Sequence, residues 1–396
     1  MSSARWVAYG TLREGEQTPG VYFDRHIKLA IAQLLDEVGI DLIEAGHPKV
    51  GDEVAEGVRK LSSAGLRAKV AAHARSVRED IDLALDCGAD MLGIFYCVSQ
   101  SRLEGVFRKD LSEAVAAIAE AIAYAKGENP DLLIRYTPED TVRSEPANVI
   151  RAAIAAVRAG ADIISIADTT GSMVSGTESS MFTYVDWMKR NLASQGLEPL
   201  IAVHCHNDRG LALANALDAV RAGADIVDVS VLGLGERAGI VDMASLIAVL
   251  ISDLGVRADW RPELLPELYE LVSRYAGVPI PVNHPVVGAN AFTHCAGVHT
   301  QAALRDPIHY QSLDPTLFGR SSDICLDHMS GSASIDHGLR RIGVTDLDRE
   351  TREKLLAEVK SIGRKGRTVS LRELEQLVKF LTSRQQVVSD RRAEAG

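Results

Sequence analysis

Gly223-Ala224-Asp225-Ile226-Val227-Asp228-Val229-Ser230-Val231 runs a helix end straight into a β-branched stretch. The same junction recurs at Gly39-Ile40-Asp41, Gly88-Ala89-Asp90 and Gly160-Ala161-Asp162. Glycine suits a left-handed helix cap, and the apolar run behind it suits a buried strand. Working outward from these junctions, strands are expected near Trp6–Tyr9, Asp41–Ala45, Ala68–Ala72, Met91–Cys97, Leu132–Thr137, Ile163–Ala167, Ile201–His206 and Ile226–Val231. Helical periods lie between them, as in Asp24–Val38, Leu111–Lys126 and Leu211–Ala222. Eight alternations are what a closed parallel barrel requires, so the expected fold is an α/β (β/α)8 TIM barrel. The rival, an open doubly wound sheet, needs a glycine-rich phosphate turn after its first strand. Tyr9-Gly10-Thr11-Leu12-Arg13-Glu14 is not such a turn.

Beyond residue 275 the texture changes. Pro279, Pro281 and Pro285 punctuate a connector, a His-bearing segment follows from Asn290 to Tyr310, and Glu350–Phe380 reads as helices joined by a basic turn around Arg364–Arg367. The last residues, Ser389–Gly396, read as frayed. The organisation expected is a catalytic barrel over residues 1–275. Residues 276–396 then form a connector and C-terminal helical subdomains that contribute to the active site.

The composition excludes several classes. Of 396 residues, 46% are hydrophobic and 24% charged, as in an ordinary globular enzyme. A net charge of −11 without a basic tract argues against nucleic acid. No apolar run is long enough for a membrane span, and no signal core follows Met1. The five scattered cysteines include no CxxC pair, which points to a reducing, cytoplasmic setting.

In parallel barrels the chemistry sits at strand C-termini and on the loops that follow. The polar residues expected there are Arg13 and Glu14, then Arg135, Thr137 and Glu139, then Asp168 and Thr169, then His204 and His206, and last Gly233, Gly235, Glu236 and Arg237. His204-Cys205-His206 is the sharpest signal: residues i and i+2 of a strand share a face, so both imidazoles aim at the barrel mouth. With Glu14 they make a site for a divalent ion such as Mg²⁺, Mn²⁺ or Zn²⁺, the alternative being two satisfied core histidines. Cys205 is expected to point away as a small buried hydrophobe. Arg13, otherwise a surface ion-pair partner of Glu14, would hold a 2-oxo group and stabilise developing oxyanion charge. Arg135 either clamps a substrate carboxylate or pairs with Glu139 or Asp140 as scaffold. The glycines of Gly233–Gly239 either admit a ligand close to backbone or merely turn the chain. His294, His299 and Tyr310 read either as scaffold or as general acid–base groups.

Five strings together resemble the homocitrate synthase and isopropylmalate synthase family of Claisen-condensing, metal-dependent barrels. They are Thr11-Leu12-Arg13-Glu14-Gly15-Glu16-Gln17, Arg135-Tyr136-Thr137-Pro138-Glu139-Asp140-Thr141, His204-Cys205-His206-Asn207-Asp208, Gly233–Gly239 and His294-Cys295-Ala296-Gly297-Val298-His299. The resemblance spans roughly residues 9–320. It implies an acyltransferase that condenses acetyl-CoA with a 2-oxo acid, giving a 2-alkylmalate or homocitrate-type product and CoA in amino-acid biosynthesis. It implies Glu14, His204 and His206 on the metal, Arg13 on the substrate oxo group, and Thr169 on the 2-oxo acid carboxylate. Arg135 and Thr137 join the substrate set, Gly233, Gly235 and Arg237 lie near coenzyme A, and His299 and Tyr310, with Glu139, carry acid–base chemistry. It also implies a homodimer.

Departures from the family pattern are specific. Tyr9 stands where an Asp is usual, and Ile240 where isopropylmalate synthases carry an Asn. Glu14 and Arg135 are homocitrate synthase choices, whereas Val77 aligns with a substrate-contacting His of those enzymes. His47 is expected in neither group. The alternatives are an isopropylmalate-type synthase using an aliphatic, aromatic or phosphonate-bearing 2-oxo acid, and a carbon–carbon lyase of the same superfamily. Lyases use a cysteine in the glycine loop, and Gly233–Gly239 has none.

Overall fold

The four glycine junctions behave alike. Gly39, Gly88, Gly160 and Gly223 all take left-handed backbone, with φ of 96°, 75°, 113° and 89°, a region that costs an L side chain strain. The Asp that follows has its own task. Asp90, Asp162 and Asp225 each accept, through a carboxylate oxygen, the backbone N–H of Val70, Ile134 and Ile201 on the preceding strand, at 2.8–3.0 Å. The repeated tripeptide therefore ends a helix and pins two neighbouring strands in register.

The structure, a computed structural model, describes residues 6–256, 259–295, 302 and 309–393. Its strands are β1 (Trp6–Tyr9), β2 (Leu42–Gly46), β3 (Lys69–Arg75), β4 (Met91–Phe95), β5 (Leu133–Thr137), β6 (Ile163–Asp168), β7 (Leu200–Cys205) and β8 (Ile226–Val229). They form one closed barrel in chain order. The closing seam pairs β1 with β8 in parallel, from Trp6 opposite Ile226 to Tyr9 opposite Val229. The expected barrel is thus observed. One boundary differs with consequence: β3 continues past Ala72 to Arg75. His73 interrupts the apolar run that marks the strand, yet it is accommodated because Glu44 receives its ring nitrogen at 3.0 Å.

The barrel interior is layered. Leu42, Ala71, Met91, Ile163, Ala202 and Ile226 form one apolar cluster with Leu133 and Leu200 packed against it, so every strand from β2 to β8 contributes. Two residues further along each strand the same face carries Glu44, His73, Gly93, Arg135, Ser165, His204 and Asp228. An apolar floor thus supports a polar layer, and the polar layer opens to the mouth.

Helices cover the outside. Arg25–Val38 starts at Asp24, whose carboxylate caps the amides of His26 and Ile27. Its inward face carries Ile31, Ala32, Leu35 and Val38, all buried, and also Lys28. Lys28 is 2% exposed. Its ammonium donates to the Leu12 and Ala45 carbonyls at 2.7 and 2.9 Å and to Glu16 at 2.7 Å. Burial pushes Lys28 below the usual lysine range, and Glu16 opposes that. One cation therefore ties the loop after β1 to the end of β2.

Tyr9, in place of the usual Asp, is fully buried, and burial raises its phenol. The chain divides into two compact units, Met1–Ile280 and Pro281–Gly396. The second has its own core, including Leu326, Ile335, Leu339, Leu355, Val359 and Leu374. Its helices are Ser332–Arg341, Arg349–Gly363 and Leu371–Ala393, the last two joined by the basic turn. The last helix runs into the segment expected to fray. Among the described residues no helix is long and apolar enough to cross a membrane.

Replacing Lys28 with Met preserves reach but takes the cation from two buried carbonyls and from Glu16 Oε2, leaving Glu16 only the Phe23 amide on Oε1. Urea unfolding of Lys28→Met should show a loss of about 3 kcal/mol. Parental stability would mean that the tie carries no weight.

Candidate active site

The loop after β1 is a tight turn built on one oxygen. The Gly10 carbonyl accepts the amides of Arg13, Glu14 and Gly15 at 3.0, 2.6 and 3.2 Å, while Thr11 Oγ1 accepts the Val231 amide at 2.9 Å. This fixes Arg13 and Glu14 at the rim. Arg13 Nη1 donates to Glu14 Oε2 at 2.5 Å, and its Nε and Nη2 both donate to Glu44 Oε2, at 3.0 and 2.7 Å. The Arg13–Glu14 ion pair is therefore present, set in the barrel mouth with a second carboxylate behind it.

His204 and His206 share the inner face near the end of β7, and Cys205 between them is fully buried on the other side. The ring of His204 meets Asp228 Oδ2 through Nδ1 at 2.9 Å, which leaves its Nε2 lone pair facing inward. Nε2 of His204 lies 3.2 Å from Nε2 of His206, and the latter lies 3.9 Å from Glu14 Oε1. One ligand atom from each of Glu14, His204 and His206 falls within 4.8 Å of the others. Burial, then the neighbouring His204, pushes His206 down to about 4, so its imidazole is neutral at ordinary pH. Burial alone would raise Glu14, but Arg13 and the two imidazoles outweigh it and hold the carboxyl below its usual value.

The charge balance fits a cation. Buried or nearly so around this point are two guanidinium groups, Arg13 and Arg135, and three carboxylates, Glu14, Glu44 and Asp228. Three carboxylates against two guanidinium groups leave surplus negative charge before the imidazoles are counted. Two nitrogen ligands, one oxygen ligand and a carboxylate supporting a ligand histidine suit a divalent ion.

These groups line a cavity of about 400 Å³ at the barrel mouth. Arg13, Glu14, Arg135, Thr137, Glu139, Thr169, His204 and His206 all reach it. Arg135, however, pairs with neither Glu139 nor Asp140. Its Nη1 and Nη2 grip both oxygens of Asp228 at 2.9 and 2.6 Å, Nη2 also donates to Ser165 at 2.6 Å, and Nη1 lies 3.5 Å from Glu44. Only Nε lacks a partner. Glu139 instead meets Arg102 at 2.7 Å, and Asp140 meets Arg143. The tighter claim on Arg135 comes from Asp228, a carboxylate inside the barrel rather than on the rim.

Four residues stand in the site without having been expected there. Glu44, His73 and Asp228 complete the polar layer, and His47 lines the cavity at the end of β2. Their signal is present in the sequence: each is a polar residue inside or just after an apolar strand, spaced like its neighbours' inward positions. Val77 is the reverse case. It caps the helix Arg78–Asp86, is 46% exposed, and is not among the cavity residues. The imidazoles on this side of the mouth are His73, four residues earlier, and His47.

Comparison with known proteins decides the family. Residues 5–272 match the HMGL-like family, and residues 286–367 match the homocitrate synthase post-HMGL domain-like family. A homocitrate synthase of Pyrococcus abyssi is 45% identical over 355 residues, spanning 90% of this chain and 94% of that protein. One from Sulfurisphaera tokodaii is 39% identical, spanning 89% and 75%. The chain belongs to the homocitrate synthase and isopropylmalate synthase family of HMGL-like barrels. Solved structures show the same fold: a hydroxymethylglutaryl-CoA lyase of Bacillus subtilis superposes with a TM-score of 0.58 at 21% identity, covering 71% of this chain and 97% of its own.

Within that family the glycine loop has a visible local task. A Cβ on Gly239 would sit 1.7 Å from the Gly233 carbonyl oxygen, and one on Gly235 3.2 Å from Glu14 Oε1. Thr18 holds Gly235 through both its amide and its carbonyl, at 2.9 and 3.1 Å. The loop thus folds over Glu14. Arg237 crosses to Asp208 and donates to the Thr169 carbonyl at 2.6 Å, bracing the loops after β6, β7 and β8. Thr169 Oγ1 accepts the Asp140 amide at 3.1 Å. Tyr310 is 46% exposed in the second unit, and His299 lies outside the described residues.

Arg135→Met separates support from clamping. If the Asp228 pairing dominates, the variant should lose about 3–5 kcal/mol in urea unfolding, because a buried carboxylate is left unpaired. Parental stability with a raised KM would assign Arg135 to the substrate alone.

Proposed function

We propose that this acyl-CoA:2-oxo acid acyltransferase is a homocitrate-type synthase that condenses acetyl-CoA with 2-oxoglutarate. The observation that carries the reading is the convergence of Glu14, His204 and His206 beside Arg13 on one cavity, in a chain 37–45% identical to several homocitrate synthases.

A divalent ion bound at Glu14, His204 and His206 would supply Lewis acidity to the keto oxygen. The guanidinium of Arg13, held by Glu14 and Glu44, offers fixed positive charge where the alkoxide develops. Thr169 takes the 2-oxo acid carboxylate, and Arg135 and Thr137 shape the side-chain end. Gly233, Gly235 and Arg237 border coenzyme A. His299 and Tyr310, with Glu139, are assigned proton transfer from the acetyl methyl group. The carbanion attacks the keto carbon, the alkoxide gains a proton, and water cleaves the thioester to release CoA. The reading includes a cytoplasmic homodimer, which light scattering of the purified protein tests for assembly.

Thiol release from acetyl-CoA should be fast with 2-oxoglutarate and slower by about ten-fold or more with 2-oxoisovalerate. The reverse order would move the chain to the isopropylmalate branch. Chelation should abolish turnover, and Mg²⁺, Mn²⁺ or Zn²⁺ should restore it. His204→Ala should fail to retain metal on dialysis, and full activity in a chelated, metal-stripped sample would sink the metal reading.

A further inference from the structure

His47 follows β2 in Gly46-His47-Pro48, where the strand departs from regular pairing. Glu44 is opposite Ala71 while Gly46 is opposite Ala72, so the extra residue turns the chain at the cavity wall. The His47 ring is pinned on two sides. Its Nε2 meets Asp80 Oδ2 at 3.1 Å, and its plane stands edge-on to Phe95, centroids 6.1 Å apart and planes at 86°. Asp80 is itself held hard, being 1% exposed and receiving the Arg75 amide, Nε and Nη2 at 3.2, 2.8 and 2.9 Å. Burial would raise Asp80, but the bonds from Arg75 and His47 bring it down to about 2, so it is an anion at every working pH.

A fixed anion at Nε2 fixes the proton there. Nδ1 is then the ring's remaining polar atom, and it has no hydrogen-bond partner among the described residues. His47 lines the same cavity as the metal-site residues and keeps a side-chain exposure of 20%.

The barrel order says which part of a substrate it meets. In a ring of eight strands β3 stands opposite β7, and β2 opposite β6. A 2-oxo acid with its carboxylate at Thr169, after β6, and its keto group at Arg13 and His204 points its side chain across the mouth toward β2 and β3, with β4 beside them. That wall carries His47, His73 and Phe95 with Val50 and Val54. Arg135, the obvious cation for a distal anion, is committed to Asp228.

We propose that His47, oriented by Asp80, is a specificity-determining residue that donates from Nδ1 to an anionic group at the far end of the 2-oxo acid. This rests on the acyltransferase reading above and adds the residue that reads the far end of the acid, whether that end is a carboxylate or a phosphonate. An imidazolium has two N–H donors, one for each anion, so the ring can serve Asp80 through Nε2 and the substrate through Nδ1. Phe95 and Val54 supply apolar wall beside that bond.

The test uses the full-length protein with its resident metal and a panel of oxaloacetate, 2-oxoglutarate, 2-oxoadipate, 3-phosphonopyruvate and 2-oxoisovalerate. His47→Leu should raise the 2-oxo acid KM for the best distal-anion substrate by about ten- to a hundred-fold. The loss should exceed any change in kcat or in the acetyl-CoA KM. His47→Asn, whose amide nitrogen falls near the Nδ1 position, should recover part of that loss, and Asp80→Asn should show a smaller rise of the same kind. The preferred member of the panel tells carboxylate from phosphonate and sets the length. A parental KM for every distal-anion acid in His47→Leu overturns the proposal while leaving the acyltransferase intact. No thiol release from the parent with any of the five overturns the acyltransferase reading itself, and this inference with it.

Discussion

Arg135 and Asp228 meet inside the barrel through two hydrogen bonds, at 2% exposure each, and the site is organised around that pair. A carboxylate so placed is tolerable only if it is fully paired. Asp228 is: it takes both Nη atoms of Arg135 and the Nδ1 side of His204. The same pair orients His204, a candidate metal ligand, from one side and leans on Glu44 from the other. Glu44 in turn takes Arg13 and His73, and Arg13 takes Glu14. The chain of contacts from Glu14 round to His206 is therefore one network across the barrel, closed by the convergence of Glu14 and His206. Removing either arginine or any of the three carboxylates strands a buried charge, so the rigidity of the layer follows from the cost of burial rather than from loop stiffness.

The floor below explains why such a layer can exist. Leu42, Ala71, Met91, Ile163, Ala202 and Ile226 close the barrel to water from beneath, so the polar layer has a dry side and a wet side. Two of these seats are alanines, which leaves volume above them for the longer His73 and His204. Gly93 performs the same service laterally, since a Cβ there would lie 3.1 Å from the His73 ring. Small residues in the barrel wall are the packing counterpart of the large polar ones beside them.

The fold is legible in the sequence because its signals are periodic. The Gly-x-Asp junctions announce helix ends and strand starts, and their backbone geometry and side-chain bonds match that reading. The candidate metal site is legible because Arg13 and Glu14, ending another barrel strand, add to an HxH pair that alone could be two core histidines. The inner network is not legible by the same means. Strand-end logic stops β3 at Ala72 and so passes over His73, and it seeks the partner of Arg135 on its own loop, at Glu139 or Asp140. Asp228 is 93 residues from Arg135, and nothing in local sequence joins them. What does join them is register: Arg135, Ser165, His204 and Asp228 each stand two residues above an apolar floor position. Inward positions counted strand by strand gather all four from the amino-acid sequence alone, because a barrel turns spacing along each strand into a shared height.

That layering also separates two kinds of change. The polar layer is bound to itself, and substitution there removes support from the metal site and from the fold together. The rim above it, with Gly46, His47, Phe95, Thr137 and Ala167, touches the cavity while owing less to the network. His47 draws its orientation from Asp80 and Arg75, on β3 and the helix that follows, and shares no hydrogen bond with Arg13, Glu44 or Asp228. A family that must keep one condensation chemistry while changing its 2-oxo acid has this rim as the place to do so. His47, a residue foreign to both expected groups, stands there on its own separate support, which is where a change of substrate preference costs the catalytic layer least.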